Sequence, residues 1–279
     1  MTADRSEVNP GFSFGDIGEM AQAGRGFGAG DRATVDEADV ARFEALGDDW
    51  WAERGSMRPL HKLNPVRIAY IRDQICQHFG DVDARPRDPL APSPLAGLTL
   101  LDIGCGGGIL AEPLARLGAK VTGVDPAPGN ILIARKHAQE SGVEIDYRAT
   151  TAEALLAEGA RFDVVTAMEV VEHVTDMRAF VSTCAALVRP GGLLFMATLN
   201  RTMKSFALAI VGAEYVLRWV PKGTHQWEKF VTPKELEEAM RAGGCEMFDV
   251  AGVVYNPLRD AWGRSRDVDV NYMCVGRCG

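Results

Sequence analysis

Residues 163–174 read DVVTAMEVVEHV, and in this stretch Glu169, Glu172 and His173 stand at i, i+3 and i+4. If the stretch is helical, all three side chains project from one face. Two carboxylates and an imidazole suit a hard or borderline divalent ion such as Mg2+, Mn2+ or Zn2+. The imidazole alone suits a second task, taking the proton of an acidic hydroxyl. The competing reading is a solvated helix start, where carboxylates are favoured by the helix dipole. The pattern by itself does not choose between them. A second chemical signal lies at 98–110, LTLLDIGCGGGIL, where an apolar run meets Asp102 and then Gly104, Gly106 and Gly108 in alternation. Glycine lets the backbone take positive φ and approach a ligand with no Cβ in the way. A dinucleotide fingerprint, G-x-G-x-x-G, would need its last glycine where Ile109 stands, which argues against a nicotinamide enzyme. Further on, at the spacing of roughly 20 residues expected for a ribose-binding acid, the apolar run 119–124 ends in Asp125. Its carboxylate can accept hydrogen bonds from both hydroxyls of a ribose. Asp125 can also simply open the turn at Pro126, but the glycine turn before it favours the nucleoside reading.

These residues need a frame that brings strand ends together. From residue 98 onward apolar strand and helix patterns alternate, with strands expected at 98–103, 119–124, 144–148, 162–168 and 192–198. Such alternation predicts a parallel sheet covered on both faces, with ligands at the C-terminal strand ends. Two last strands are expected at about 245–254 and 269–276. Thr232-Pro233-Lys234-Glu235 begins a helix with Thr232 as N-cap, and Gly243-Gly244 ends it. Ahead of the sheet, residues 34–82 read as helices. Thr34 and Glu37 have the spacing of a capping box, and Val40, Phe43 and Leu46 repeat at helical spacing. Trp50 and Trp51 follow, and Pro65 precedes a second apolar helix through Ile68, Ile71 and Ile75. Residues 83–97 carry four prolines by Pro94 and read as an exposed connector. Residues 11–30 carry seven glycines and no period, so 1–33 reads as a disordered tail before one domain at 34–279.

Composition sets limits. The chain has 279 residues, 47% of them hydrophobic, enough for a full core. A formal net charge of −8 argues against sequence-independent nucleic-acid binding, which depends on many Lys and Arg contacts to phosphate. The start, MTADRSEVNP, is polar and mixed in charge, so no secretory leader is expected. The six cysteines form no C-x-x-C pair and read as reduced, cytosolic thiols.

The tight G-x-G-x-G with Asp102 before it resembles motif I of class I S-adenosylmethionine (AdoMet) methyltransferases. More specifically, the chain from about residue 35 to 275 resembles the bacterial ubiquinone biosynthesis O-methyltransferases. The resemblance is carried by RPLHKLNPVRIAYI (58–71), LDIGCGGGILAEPLA (101–115), VTGVD (121–125), DVVTAMEVVEHV (163–174), the long segment 198–225 and DVDVNYM (267–273). It implies an α/β fold of the Rossmann-like class I kind: a mostly parallel seven-stranded sheet, helices on both faces, and an antiparallel C-terminal edge. It implies AdoMet contacts at Arg67, Asp102, Gly104, Gly106, Asp125 and Met168, and metal ligation by Glu169, Glu172 and His173. Arg67 makes chemical sense as a guanidinium fork for the methionine carboxylate, and Met168 as an apolar cover for adenine. The implied reaction is O-methylation of 2-polyprenyl-6-hydroxyphenol and 3-demethylubiquinol. A phenol titrates near pH 10, so such an enzyme needs a base or a cation to make phenolate. Either role is open to the 169–173 stretch.

The segment 205–220 is apolar nearly all round but interrupted by Glu214 and Arg218, short of the ~20 uncharged residues that span a bilayer. A buried helix is one reading. The other is a lid within about 199–231 that covers the acceptor and meets an anionic membrane surface. Arg201, Lys204, Arg218, Lys222 and Lys229 at about 201–229 flank its apolar body. The resemblance then implies peripheral attachment to the inner face of the cytoplasmic membrane and assembly with other enzymes of ubiquinone synthesis. The alternatives are a methyltransferase for a soluble catechol and a catalytically silent AdoMet-binding or membrane-assembly protein.

Overall fold

The computed structural model describes residues 34–52, 55, 57–82, 86–206 and 227–279. The stretch 1–33 and residues 207–226, the body of the expected lid, lie outside the described residues.

Alternating side chains organise the molecule. In strand β1 (Thr99–Ile103), Leu100 points into one apolar cluster and its neighbour Leu101 into another. This is the period of two that a strand buried on both faces must show. The first cluster joins β1 to helices α2 (Arg58–Val82), α3 (Ala111–Arg116) and α4 (Pro128–Glu140) through residues such as Ile71, Leu114 and Ile131. The second joins it to α5 (Ala152–Ala157), α6 (Met177–Leu187) and α7 (Pro233–Ala242) through Leu155, Phe180 and Leu236. Burying a side chain of this size contributes about 1.5–3 kcal/mol, so the two layers hold the sheet from both sides.

The remaining strands are β2 (Lys120–Asp125), β3 (Asp146–Ala149), β4 (Phe162–Met168), β5 (Val188–Leu199), β6 (Cys245–Asn256), β7 (Ala261–Ser265) and β8 (Asn271–Cys278). Their spatial order is β3-β2-β1-β4-β5-β8-β6-β7. The first five pair in parallel, and β8, β6 and β7 add on antiparallel. The chain leaves β1 toward β2 on one side and returns from β3 to β4 on the other. This reversal opens a crevice at the C-terminal ends of β1 and β4, where ligands of such sheets bind.

Five local expectations are corrected. The sheet has eight strands rather than seven, because Ala261–Ser265 folds back on β6 as an edge hairpin strand. Helix α1 (Glu37–Glu44) is capped by Asp36, whose carboxylate accepts from Ala38 N at 3.1 Å. Thr34 is instead buried and donates to Glu153, while Val35 bridges Val174. Helix α2 begins at Arg58, and Pro65 lies inside it. Finally, Cys245 and Cys278 face each other across β6 and β8 and are joined as a disulfide. Their separation of 33 residues hides this pair from any C-x-x-C spacing. The proline-rich connector is also only partly exposed. Leu95 is fully buried, and Arg87 Nη1 donates to the carbonyls of Pro94 (3.1 Å) and Ala96 (3.0 Å).

Candidate active site

The crevice is a cavity of about 800 Å3 lined by the ends of β1, β2 and β4 and by segments of α1, α2 and the β6–β7 hairpin. The glycine turn after β1 takes left-handed backbone at Gly104 (φ +68°) and Gly106 (φ +52°). Adding a Cβ would bring Gly104 within 2.6 Å of Val170 and Gly106 within 2.4 Å of the Trp50 ring. The turn is therefore closed to side chains by packing as well as by conformation. Trp50 is cavity-lining, and its indole N–H donates to Asn130 Oδ1 at 3.0 Å. Trp51 donates to the carbonyl of Gly107 at 2.7 Å. The tryptophan pair is visible in the sequence, but its place over a turn more than 50 residues away is not.

Asp102 is the next-to-last residue of β1 and shares the α2-facing side of the strand with Leu100. Thr166 Oγ1 donates to its Oδ1 at 2.7 Å, while its Oδ2 is buried without a hydrogen-bond partner. Burial pushes this carboxyl up to about 7, against the hydrogen bond from Thr166 and the charge of Arg67. Arg67, 4% exposed, projects from α2 with Nη2 2.8 Å from Glu169 Oε1. The pair is close but misaligned for a hydrogen bond, so Arg67 Nε and Nη2 and Glu169 Oε1 all lack hydrogen-bond partners. Orphaned buried donors beside an orphaned buried acceptor are costly unless a ligand completes them. An α-amino acid terminus offers the matching groups, a carboxylate for Arg67 and an ammonium for Asp102.

Asp125 ends β2 and is buried. Its Oδ2 accepts from Gly106 N at 3.0 Å, and its Oδ1 from Ala127 N at 2.9 Å and Asn130 Nδ2 at 3.2 Å. Burial raises its pKa, and these three bonds oppose the rise. A carboxylate has roughly four acceptor sites, so Asp125 keeps room for one hydroxyl rather than the two expected from the sequence. Asp125 therefore shapes the turn and also lines the cavity. Met168, buried at the end of β4, lines the cavity, as do residues 150–153 running from the end of β3 into α5, which the sequence did not mark.

The 169–173 stretch departs from expectation. Glu169 takes φ +59°, unusual for any residue but glycine, and Val171–His173 forms a single 3-10 turn. No α-helical face forms, and the three side chains go to three partners. Glu169 pairs with Arg67, Glu172 accepts from Thr198 Oγ1 at 2.9 Å, and His173 Nδ1 lies 3.0 Å from Asp39 Oδ2. Burial, then the charge of Glu169, pushes Glu172 up to about 7. The donor chemistry suits a divalent ion. The arrangement does not: among the described residues no three His, Cys, Asp or Glu side chains are gathered closely enough to hold a metal.

Asp39 is the contact that sequence reading missed. It reaches the site from α1, 134 residues away from His173. Burial opposes its charge, but His173, Arg42 and Lys229 together hold its carboxyl below the usual range. Phe43 packs T-shaped against the imidazole, with ring centroids 5.0 Å apart. Among the cations expected to flank the lid, Arg201 pairs with Glu235, Lys204 with Asp267, and Lys229 with Asp36. Arg218 and Lys222 lie outside the described residues. Among the described residues no helix is long and apolar enough to cross a membrane.

Residues 72–250 match the methyltransferase-domain family. The chain is similar to the ubiquinone biosynthesis O-methyltransferase of Methylobacterium sp. (strain 4-46), 63% identical over 240 residues, covering 86% of this chain and 94% of the relative. The protein of the same description in Methylocella silvestris is 61% identical over 241 residues, with 86% and 94% covered. Among solved structures, the magnesium protoporphyrin IX methyltransferase of Synechocystis PCC 6803 with bound SAM aligns with a TM-score of 0.54 at 18% identity, over 88% of this chain and 99% of that one. A SAM-dependent methyltransferase of Thermotoga maritima, described as a possible histamine N-methyltransferase, aligns with a TM-score of 0.51 at 20% identity, over 85% and 98%. The structural likenesses show the Rossmann-like class I methyltransferase fold.

Proposed function

Because the chain belongs to the ubiquinone biosynthesis O-methyltransferases, we propose that it methylates a phenolic hydroxyl of polyprenyl catechols, 2-polyprenyl-6-hydroxyphenol and 3-demethylubiquinol. The observation that supports this reading is the unsatisfied pair at the crevice, Arg67 and the Oδ2 of Asp102. Arg67 would take the carboxylate of AdoMet and Asp102 its ammonium, with Asp125 on the ribose and Met168 beside the adenine. When bound, the sulfonium supplies an electrophilic methyl group, which passes to the phenolate oxygen as its S–C bond breaks and S-adenosylhomocysteine forms.

The protein's own task is to deliver that phenolate. With the Nδ1–H of His173 donating a hydrogen bond to the Asp39 carboxylate, the Nε2 lone pair is left to take the phenol proton. The protonated imidazole then sits beside an anionic partner that stabilises it. Glu169 and Glu172 shape the same wall of the cavity.

Purified protein incubated with methyl-labelled AdoMet and a prenylated catechol should move label into the organic product. No transfer, with S-adenosylhomocysteine binding intact, would remove the proposal in favour of a silent AdoMet-binding protein. Chelation followed by Mg2+ addition, in the same assay, tests the cation. Turnover lost and then restored would require the 169–173 stretch to rearrange around an ion. The membrane contact at about 201–229 belongs to the same reading. Met203 and Phe206 are exposed at its start, and flotation with anionic liposomes is its direct test.

A further inference from the structure

We propose that Trp50 is a positioning residue for the cofactor, its indole N–H setting, through Asn130, which oxygen of Asp125 stays open to a ribose hydroxyl. The proposal rests on the AdoMet reading and deepens it at the nucleoside. Trp50 ends the 3-10 turn Gly47–Trp51 but for one residue, and it lines the cavity. Its indole N–H donates at 3.0 Å to Oδ1 of Asn130, which stands 80 residues further along the chain near the start of α4. Asn130 in turn donates from Nδ2 to Asp125 Oδ1 at 3.2 Å. All three side chains are buried, so a broken link is not made good by bulk solvent.

The polarity of this relay is fixed by its two ends. An indole N–H only donates, and an ionised carboxylate only accepts. Between them the carboxamide has one satisfactory orientation, oxygen toward Trp50 and nitrogen toward Asp125. Turned over, it would set donor against donor at one end and acceptor against acceptor at the other. The consequence reaches the carboxylate. Oδ1 holds two donors, Asn130 Nδ2 and Ala127 N, whereas Oδ2 holds one among the described residues, Gly106 N. With roughly two acceptor sites on each oxygen, the open site is on Oδ2, beside the glycine turn. Removing the indole N–H orphans the buried Asn130 oxygen and frees the amide to turn its nitrogen away from Asp125. Oδ1 then opens as well, and the carboxylate no longer presents a single site. Trp50 also has a packing task, since a Cβ on Gly106 or Gly107 would fall 2.4 or 2.6 Å from its side chain. Trp50→Phe separates the two tasks, keeping an aromatic ring at the turn and removing the donor.

The test is calorimetry of the full chain with S-adenosylhomocysteine and with its 2′-deoxy and 3′-deoxy forms. Wild type should bind at least one deoxy form about tenfold or more weakly than the parent, the loss of a hydrogen bond to a charged group. Trp50→Phe should shrink that ratio to about threefold or less, whatever happens to overall affinity. Asn130→Leu, which breaks the relay at its middle, should shrink it as far, and adding Trp50→Phe should then change it no further. Trp51→Phe removes a different indole donor from the same turn, the one that binds the Gly107 carbonyl at 2.7 Å, and should keep the wild-type ratio. Urea melts identify which variants fold, so either break in the relay suffices. A ratio that survives in folded Trp50→Phe or Asn130→Leu overturns the relay. A ratio lost equally in Trp51→Phe overturns it too, because packing over the turn would then account for the effect. If wild type binds all three ligands alike, the ribose role of Asp125 fails and takes the relay with it. If none of them binds, the AdoMet reading itself fails.

Discussion

Asp102 illustrates how much a single buried carboxyl is asked to do. Its ordinary value of 3.8 rises to about 7 because burial disfavours the anion. The sign follows from linkage. Below about pH 4 the proton is held in both folded and unfolded chains, and the favourable contribution is fully present. As pH rises through about 7, the folded protein must ionise a buried group, and that contribution is lost. Asp102→Asn keeps an oxygen acceptor for Thr166 and removes the titration. The stability advantage of Asp102→Asn over wild type should therefore grow between about pH 4 and pH 8, by about 2–4 kcal/mol at roughly 1.4 kcal/mol per unit. Urea denaturation across that range measures it. Glu172 is also raised to about 7, but it is present in both proteins and cancels in the difference. A difference that does not change with pH would show that Asp102 is already solvated or ionised in the fold.

Among the elements, the glycine turn is the one whose geometry allows a sharp test. Gly108 takes φ +88°, and a Cβ there would fall 2.2 Å from the Tyr147 hydroxyl. That hydroxyl is itself buried without a hydrogen-bond partner. Gly108→Ala should cost about 2–4 kcal/mol from backbone strain and the clash together. Tyr147→Phe alone should be neutral or slightly stabilising, since it removes an unsatisfied polar atom. In the Tyr147→Phe background, Gly108→Ala should cost at least about 1 kcal/mol less, read from urea midpoints in a double-mutant cycle. Equal costs in both backgrounds would place the damage in backbone conformation alone. The same element shows why some of the site was legible. A strand emptying into alternating glycines, followed by an acid at the next strand end, is a local pattern, and Gly104, Asp102 and Asp125 do line one cavity. Strands β1, β4 and β5 were legible for a similar reason, since both-face burial leaves continuous apolar runs. The edge strand Ala261–Ser265 was not, because only five residues and one neighbour define it. The 169–173 stretch misled because its spacing suggests a helix, whereas the left-handed turn at Glu169 sends each side chain elsewhere.

At the scale of the whole molecule, what escaped the sequence were partnerships between distant segments. Asp39 meets His173 only because α1 docks across the strand ends, with Val35 bridging Val174. No local period encodes such a contact. The Cys245–Cys278 disulfide is of the same kind, created when β8 inserts between β5 and β6 and sets the two cysteines opposite each other. It closes the C-terminal antiparallel unit, which also carries the hairpin that walls the cavity. By loop entropy, a crosslink spanning 33 residues should stabilise the fold by roughly 3–4 kcal/mol. Adding reductant should therefore lower the urea midpoint of the oxidised protein, and the Cys245→Ala/Cys278→Ala variant should show the lower midpoint with or without reductant. The four other cysteines are buried as free thiols and stay in the double variant, so any effect of reductant beyond the pair would appear there. Cofactor affinity should change little on reduction, because the glycine turn and Asp125 belong to the parallel half of the sheet. If reduction weakened S-adenosylhomocysteine binding as much as it weakened the fold, the two halves would have to be energetically coupled through β5 and β4.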